Sequence, residues 1–326
     1  MSESTSAQMK AFRTLQFGEA KLESCPIPTP KPGQVRVKIK ACSLNFADLL
    51  MIKGKYQDTP PPPFTLGLEL SGVVEAAAED VDPTLVGKSV AIFAGQGGLA
   101  EYGCFDANLC VPLPSNMSHE HAAAFQIAYG TSHVALDYKA NLRAGETLLV
   151  LGASGGVGLT AVEIGKRMGA TVIACARGSE KLKIAQQAGA DHLIDSETED
   201  LRNVVKSLGG ADVVYDPIGG DLFRSALRAC NPDARILVIG FSGGDVPQIP
   251  ANHLLVKNVT AIGFYWGAYL KFKPHVLTDS MSRLFSWYEA GDLRPHISHT
   301  LPLERAEDAL ELLRSRASTG KVVVTP

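Results

Sequence analysis

Among 326 residues there is no run of about 18 apolar side chains, so no membrane-crossing helix is expected. Basic residues are not in excess. Lys and Arg number 31 against 34 Asp and Glu, a net charge of −3, which argues against binding along a nucleic-acid backbone. Cysteine is sparse. Cys25, Cys42, Cys104, Cys110, Cys175 and Cys230 form no CxxC pair, so free thiols are expected rather than a structural zinc lobe. His119 and His121, and His296 and His299, lack a third ligand nearby in sequence, and no metal site is expected. The opening MSESTSAQ has neither the basic nor the apolar segment of a signal peptide; a short frayed tail on a cytoplasmic protein is the expectation.

What the chain does have is glycine, 31 residues, in a background that is 45% apolar and 20% charged. That composition suits a packed core with many tight turns, and the length suits about two domains. The first third reads as β-structure: Lys10–Phe17, Val35–Ala41, Leu70–Ala76, Lys88–Phe93 and Ala100–Cys104, with a helix at Asn45–Ile52. Gln34–Lys40 alternates strictly, as a half-buried strand does. Pro60–Pro63 predicts a stiff polyproline II bend, a rigid loop rather than an SH3 ligand. Short strands at this spacing predict a small barrel or sandwich.

The pattern changes after a helical stretch, His119–Asp137. Strands at Thr147–Leu151, Thr171–Ala176, His192–Ile194, Asp212–Tyr215, Arg235–Ile239 and Val259–Phe264 alternate with helices at Gly156–Met168, Glu180–Ala188, Thr198–Ser207 and Leu222–Ala229. This predicts a doubly wound parallel sheet of the Rossmann type. The tail returns to helices Lys273–Glu289 and Leu303–Arg316 and a strand, Lys321–Thr325. The division expected is a nucleotide-binding domain at 124–265 inserted into a β-rich domain made of 1–123 and 266–326.

The strongest local signal is the stretch from Leu148 to Ala170, where a strand runs through Gly155, Gly156 and Gly158 into a helix. Glycines let the backbone approach a pyrophosphate, and the helix N-terminus offers free N–H groups and a positive dipole end. The loop departs from GxGxxG, with Ala153 at the first glycine position. Gly152–Gly156 also matches the nucleophile elbow GxSxG, with Ser154 as the serine. A hydrolase would then need an acid such as Asp216 and a histidine, for which His253 and His275 are poorly placed. About 20 residues on, an NAD site usually carries a carboxylate. Here Arg177 occupies that turn, followed by Ser179 and Lys181, and these suit the 2′-phosphate of NADPH. Glu180 is expected to point into its own helix.

With these residues in view, the chain resembles the zinc-free quinone oxidoreductase (ζ-crystallin-like) branch of the medium-chain dehydrogenase/reductase superfamily. Asn45-Phe-Ala-Asp48 with Gly54-Lys-Tyr56 is similar to N-Y-x-D…G-x-Y, and Phe46 departs from the common Tyr. Gly67–Gly72 resembles G-x-E-x-x-G, Ala153–Gly158 resembles AxGGVG, and Arg316–Lys321 resembles R-x-x-x-G-K. In zinc-dependent relatives the catalytic ligands correspond to Asn45, Leu68 and about Ile127, none of them a soft ligand here.

The resemblance implies a Rossmann-type sheet inserted into a GroES-like β-rich catalytic domain, with NADPH in a cleft between the two. It implies that Asn45 and Thr131 fix the nicotinamide end, and that Ser154, Gly155, Gly156 and Val157 hold the pyrophosphate. Arg177, Ser179 and Lys181 would take the 2′-phosphate, Arg316 would add a contact, and Gly240, Phe241, Phe264 and Trp266 would wall the nicotinamide pocket. For Asn45 the competing role is a helix cap, and for the aromatics it is ordinary packing. Tyr56 is the candidate proton donor, or a packing tyrosine. The function implied is zinc-independent hydride transfer from NADPH to a quinone. The alternatives are reduction of an enoyl-CoA or 2-alkenal and non-catalytic NADPH binding. A homodimer paired through Val259–Phe264 is expected on the same resemblance.

Overall fold

The computed structural model describes residues 7–326. The expected polar tail lies outside the described residues as far as residue 6, and from Gln8 the chain is in a strand, Gln8–Gln16. The chain forms two compact units. One runs to Gln126 and takes in Pro295–Pro326; the other is Ile127–Arg294. Residues 266–294, grouped with the β-rich domain in the sequence division, pack within the second unit. Helix Pro274–Glu289 buries Val276, Leu277, Met281 and Leu284, and its Ser280 Oγ lies 2.8 Å from His133 Nδ1.

The first unit is β-rich. Its larger sheet has the order Ile297–Pro302, Lys321–Thr325, Gln34–Ser43, Glu69–Ala77, Ser89–Phe93 and Val111–Pro112, with Tyr102–Asp106 also paired to Gln34–Ser43. A smaller sheet joins Glu19–Pro26, Gln8–Gln16 and Phe64–Thr65. The alternation in Gln34–Ser43 works as expected: Val35, Val37 and Ile39 are buried while Lys38 and Lys40 are exposed. The C-terminal strand returns antiparallel to it, with Val323 opposite Ser43, and Leu44 N–H donates to Val322 O at 2.9 Å. This pairing brings Lys321 beside the start of helix Phe46–Ile52, hundreds of residues away in sequence. The Pro62–Pro63 peptide is cis, so the proline run is not a continuous polyproline II segment.

The second unit holds a six-stranded, all-parallel sheet. Its order is His192–Asp195, Thr171–Ala176, Thr147–Leu151, Ala211–Asp216, Cys230–Val238 and Thr260–Gly263. This is the doubly wound arrangement expected from the alternating pattern, with the order reversing at Thr147–Leu151. Leu149, Leu151, Ile173, Ile194, Val214, Phe223 and Ile236 form its core. Each such side chain contributes about 1.5–3 kcal/mol by leaving water. No described helix is long and apolar enough to cross a membrane.

Two expected helices are broken. His119–Asp137 is a short helix, His119–Ala123, then Gln126–His133, then a π-helical turn, Val134–Lys139; the break buries Phe125 fully. Leu303–Arg316 is a 3₁₀ turn and a helix, Ala306–Arg314, stopped where Arg316 takes φ +58°. Strands Glu19–Pro26 and Ile297–Pro302 and helix Ala251–Lys257 were not expected. The two strands are only partly buried and are defined by their pairing partners, while the helix exposes Leu255 and Val256.

Candidate functional site

Because the strands of the second unit are parallel, the loops after Leu151, Ala176, Asp216, Val238 and Gly263 share one sheet edge, where ligands of such sheets bind. The loop after Leu151 turns at Gly152, which has φ +60°. Its carbonyl accepts from Gly155 N–H at 3.0 Å. Gly155 then caps helix Gly156–Arg167 with no side-chain hydrogen bond, and no acidic residue sits in the first turn. The first-turn N–H groups therefore have neither an intrahelical acceptor nor a capping side chain, and the dipole end is positive.

The two glycines flanking this turn differ in purpose. A Cβ on Gly158 would lie 2.1 Å from Gly152 O, so glycine there serves helix–strand packing. A Cβ on Gly155 would meet only Gly152 O, at 3.4 Å, and Gly155 has φ −80°. Nothing in the protein itself demands glycine at 155; a Cβ there would instead narrow the space in front of the first-turn N–H groups. The loop thus fits a pyrophosphate on chemical and steric grounds.

Ser154 is 6% exposed, and Thr131 is buried on helix Gln126–His133. That helix is tied to the loop through its next residue. Ser132 Oγ donates to Val157 O at 2.9 Å and lies within 3.0 Å of Thr160 Oγ1 and Tyr215 Oη. Arg177 and Ser179 are exposed at the end of the adjacent strand, around Gly178, which has φ +74°. The carboxylates near this turn are engaged. Glu180 pairs with Lys183 at 2.8 Å, and Asp195 accepts from Gly178 N–H at 3.1 Å and Glu197 N–H at 3.0 Å. Those backbone donors hold the Asp195 carboxyl below its usual range. Arg177 forms no ion pair among the described residues.

Gly240 and Phe241 follow strand Cys230–Val238, with Phe241 38% exposed and packed near Gly219. Phe264 and Trp266 are buried. Trp266 packs against Gly130, where a Cβ would stand 2.7 Å from its Nε1, and Phe264 meets Tyr269 at 5.6 Å between ring centroids.

In the first unit, Asn45 caps helix Phe46–Ile52, and its own N–H donates to Asp48 Oδ2 at 2.8 Å. Its side chain also bonds outside the helix. Asn45 Nδ2 donates to Glu69 Oε1 at 3.0 Å, and Lys321 Nζ donates to Asn45 Oδ1 at 2.8 Å and to Glu69 Oε1 at 2.9 Å. Glu69 and Asp48 are fully buried and Lys321 is 6% exposed. Asp48 also accepts from Gly67 N–H at 3.1 Å, and burial raises its carboxyl to about 7. Gly67, at φ +94°, could not carry a Cβ, which would lie 2.6 Å from Leu99 N. Three separate motifs of the sequence therefore meet in one buried network. Tyr56 is half-buried in a turn closed by Thr59 N–H to Tyr56 O at 3.2 Å, and Arg316 is exposed.

Residues 31–115 match the alcohol dehydrogenase GroES-like domain, and residues 156–285 match a zinc-binding dehydrogenase domain. A quinone oxidoreductase-like protein 2 homolog of Nematostella vectensis is 40% identical over 90% of this chain and 81% of its own length. The chain belongs to the quinone oxidoreductase branch of the medium-chain dehydrogenase/reductase superfamily. Among solved members, the quinone oxidoreductase of Thermus thermophilus, also solved with NADPH, is 32% identical with a TM-score of 0.87, covering 98% of this chain and 100% of its own. A quinone oxidoreductase of Pseudomonas syringae pv. Tomato is 28% identical with a TM-score of 0.90, at 98% and 100% coverage. The β-rich unit is the GroES-like part of this medium-chain dehydrogenase/reductase fold, and the protein is an oxidoreductase that uses a nicotinamide cofactor.

For this medium-chain reductase the hydrolase reading of Ser154 finds no partner geometry. Asp216 is occupied by N–H groups of Ile218 at 2.8 Å and Gly219 at 2.9 Å, and no histidine is hydrogen-bonded to Ser154 among the described residues. No three His, Cys, Asp or Glu side chains gather as a metal site among the described residues. Asp48, Glu69 and Lys321 stand within the sequence motifs with no local signal of their role. What the sequence does offer is a carboxylate and a lysine at the starts of two largely apolar strands.

Proposed function

We propose that this protein oxidises NADPH and passes the hydride to a quinone without zinc. The observation that carries the cofactor choice is Arg177, exposed at the turn after the second parallel strand while Glu180 and Asp195 are bound elsewhere. A 2′-phosphate dianion placed there would gain a guanidinium from Arg177, with Ser179 and Lys181 beside it. The first-turn N–H groups after Gly155 take the pyrophosphate, with Ser154, Gly156 and Val157 around it. Asn45 and Thr131 hold the nicotinamide end, walled by Gly240, Phe241, Phe264 and Trp266, and Arg316 adds a contact. When bound, the cofactor supplies a hydride, and the protein's part is positioning and the exclusion of water.

Independence from zinc is supported by the donor set. Asn45 is committed to Glu69 and Lys321, and its neighbour in the motif series, Leu68, is a buried apolar side chain. A quinone accepts hydride and delocalises the charge onto oxygen, then takes its proton from water. Dimerisation through the sheet edge is supported by strand Thr260–Gly263, which lies at the end of the sheet, and by Leu255 and Val256, 77% and 70% exposed.

The test is NADPH oxidation, with NADH in parallel, against an ortho-quinone, a para-quinone, a 2-alkenal and a 2-enoyl-CoA. Quinone turnover with NADPH is expected. Turnover confined to the alkenal or enoyl-CoA would replace the quinone and make Tyr56 the proton donor to mutate. Binding of NADPH with no turnover would make this a non-catalytic binding protein.

A further inference from the structure

The Glu69–Lys321 pair poses a physical question. Taking two charges out of water costs several kcal/mol per ion, and such pairs are often replaceable by apolar side chains without loss of stability. Here both are buried, at 0% and 7% side-chain exposure, in a unit whose neighbouring strands are apolar. Their shared partner is Asn45, the member of the network that reaches solvent.

The pair resolves an ambiguity inherent in Asn. The two ends of a carboxamide have nearly the same shape and opposite hydrogen-bond character. Lys321 can only donate, so the atom facing it at 2.8 Å is Oδ1. Glu69 accepts from the other end, Nδ2, at 3.0 Å, and Ser43 O takes a longer contact from Nδ2 at 3.4 Å. Both Nδ2 hydrogens are thereby directed inward. What Asn45 can still offer is the acceptor Oδ1, polarised by the Lys321 ammonium.

We infer that Glu69 and Lys321 are positioning residues that lock Asn45 as a hydrogen-bond acceptor for an N–H or O–H donor on the nicotinamide half of the cofactor. This rests on the functional reading above, in which Asn45 meets that half. The donor is either the carboxamide N–H or a ribose hydroxyl, since both offer the same chemistry to Oδ1. Without the pair, Asn45 rotates freely and presents its NH₂ as often as its oxygen, which repels a donor.

The test measures NADPH dissociation constants by fluorescence titration, alongside melting temperatures. Lys321→Met alone leaves Glu69 buried without a counter-ion and unfolds part of the sample, so the working variant is Glu69→Met with Lys321→Met, which removes both charges at similar volume. That double variant is expected to melt near the wild-type temperature and to bind NADPH about tenfold more weakly, as for one lost hydrogen bond. In an Asn45→Ala background the same two substitutions are expected to change the dissociation constant no further. Equal weakening in both backgrounds, or an unchanged constant in the folded double variant, overturns the inference. The 3-acetylpyridine analogue of the reduced cofactor lacks the amide N–H. If it binds wild type and double variant alike, the donor is the carboxamide; if it loses tenfold as NADPH does, the donor is a ribose hydroxyl. A wild-type protein that binds no nicotinamide nucleotide would overturn the functional reading itself, a result distinct from the others.

Discussion

The two units build polar sites in opposite ways. In the first, Asn45, Asp48, Glu69 and Lys321 come from distant parts of the chain and satisfy one another almost completely. In the second, the glycine loop and Arg177 are local features left open among the described residues: first-turn N–H groups without a side-chain cap and a guanidinium without an ion pair. A closed network orients a group, while an open one awaits a charge from outside. Single substitutions should therefore act first on stability in the first unit and on affinity in the second, with the packing glycine of the second unit as an exception.

Gly158 and Lys321 give the two largest effects. Gly158→Ala drives a Cβ against Gly152 O, 2.1 Å away, and should cost about 3 kcal/mol or more. Gly155→Ala, three residues earlier, should leave the melting temperature within a degree or two of wild type and weaken nucleotide binding. Calorimetry paired with NADPH titration separates the two, and equal destabilisation would break the contrast between packing and cradle.

Lys321→Met should be comparable, at about 3–5 kcal/mol, because it removes the ammonium from the buried Glu69 carboxylate. Adding Glu69→Met should recover most of that in chemical denaturation. Arg177→Ala should leave stability unchanged and weaken NADPH by about ten- to a hundredfold, as for a lost charge-assisted bond. NADH should be unaffected. Equal losses for both nucleotides would remove the 2′-phosphate assignment.

The last effects are spread over a range of pH, and the two units pull in opposite directions. Burial raises Asp48 from 3.8 to about 7, so across that range the folded state keeps a proton that the unfolded chain releases. Its contribution falls as pH rises, by at most about 1.4 kcal/mol per pH unit. Burial lowers His133 from 6.5 to about 4, so the unfolded chain takes up a proton that the folded state refuses, and stability falls as pH drops through that range. Melting temperature against pH should tilt upward with rising pH in Asp48→Asn and downward in His133→Leu, each relative to wild type. Parallel shifts without tilt would count against both assignments.

The parallel sheet was legible because its strands are buried runs broken by regular helices, and the strand from Gln34 because Val35, Val37 and Ile39 alternate with exposed neighbours. The open half of the site was legible for a related reason. Gly155, Gly156 and Arg177 act through backbone freedom and free charge, properties that stand next to one another in sequence. The strand Ile297–Pro302 and the break at Phe125 were not legible, since each depends on what packs against it. Nor was the placement of residues 266–294, decided by contacts such as His133 with Ser280.

By itself, then, the sequence determined the alternation of strands and helices, the glycine turn into a helix and the cationic turn after the second strand. Local periodicity and backbone sterics suffice for those. Only the tertiary structure decided that the Asn45 side chain bonds to Glu69 and Lys321. The reason is physical: a hydrogen bond between residues 276 positions apart exists only once antiparallel pairing of the C-terminal strand has brought them together, and no local signal carries that register.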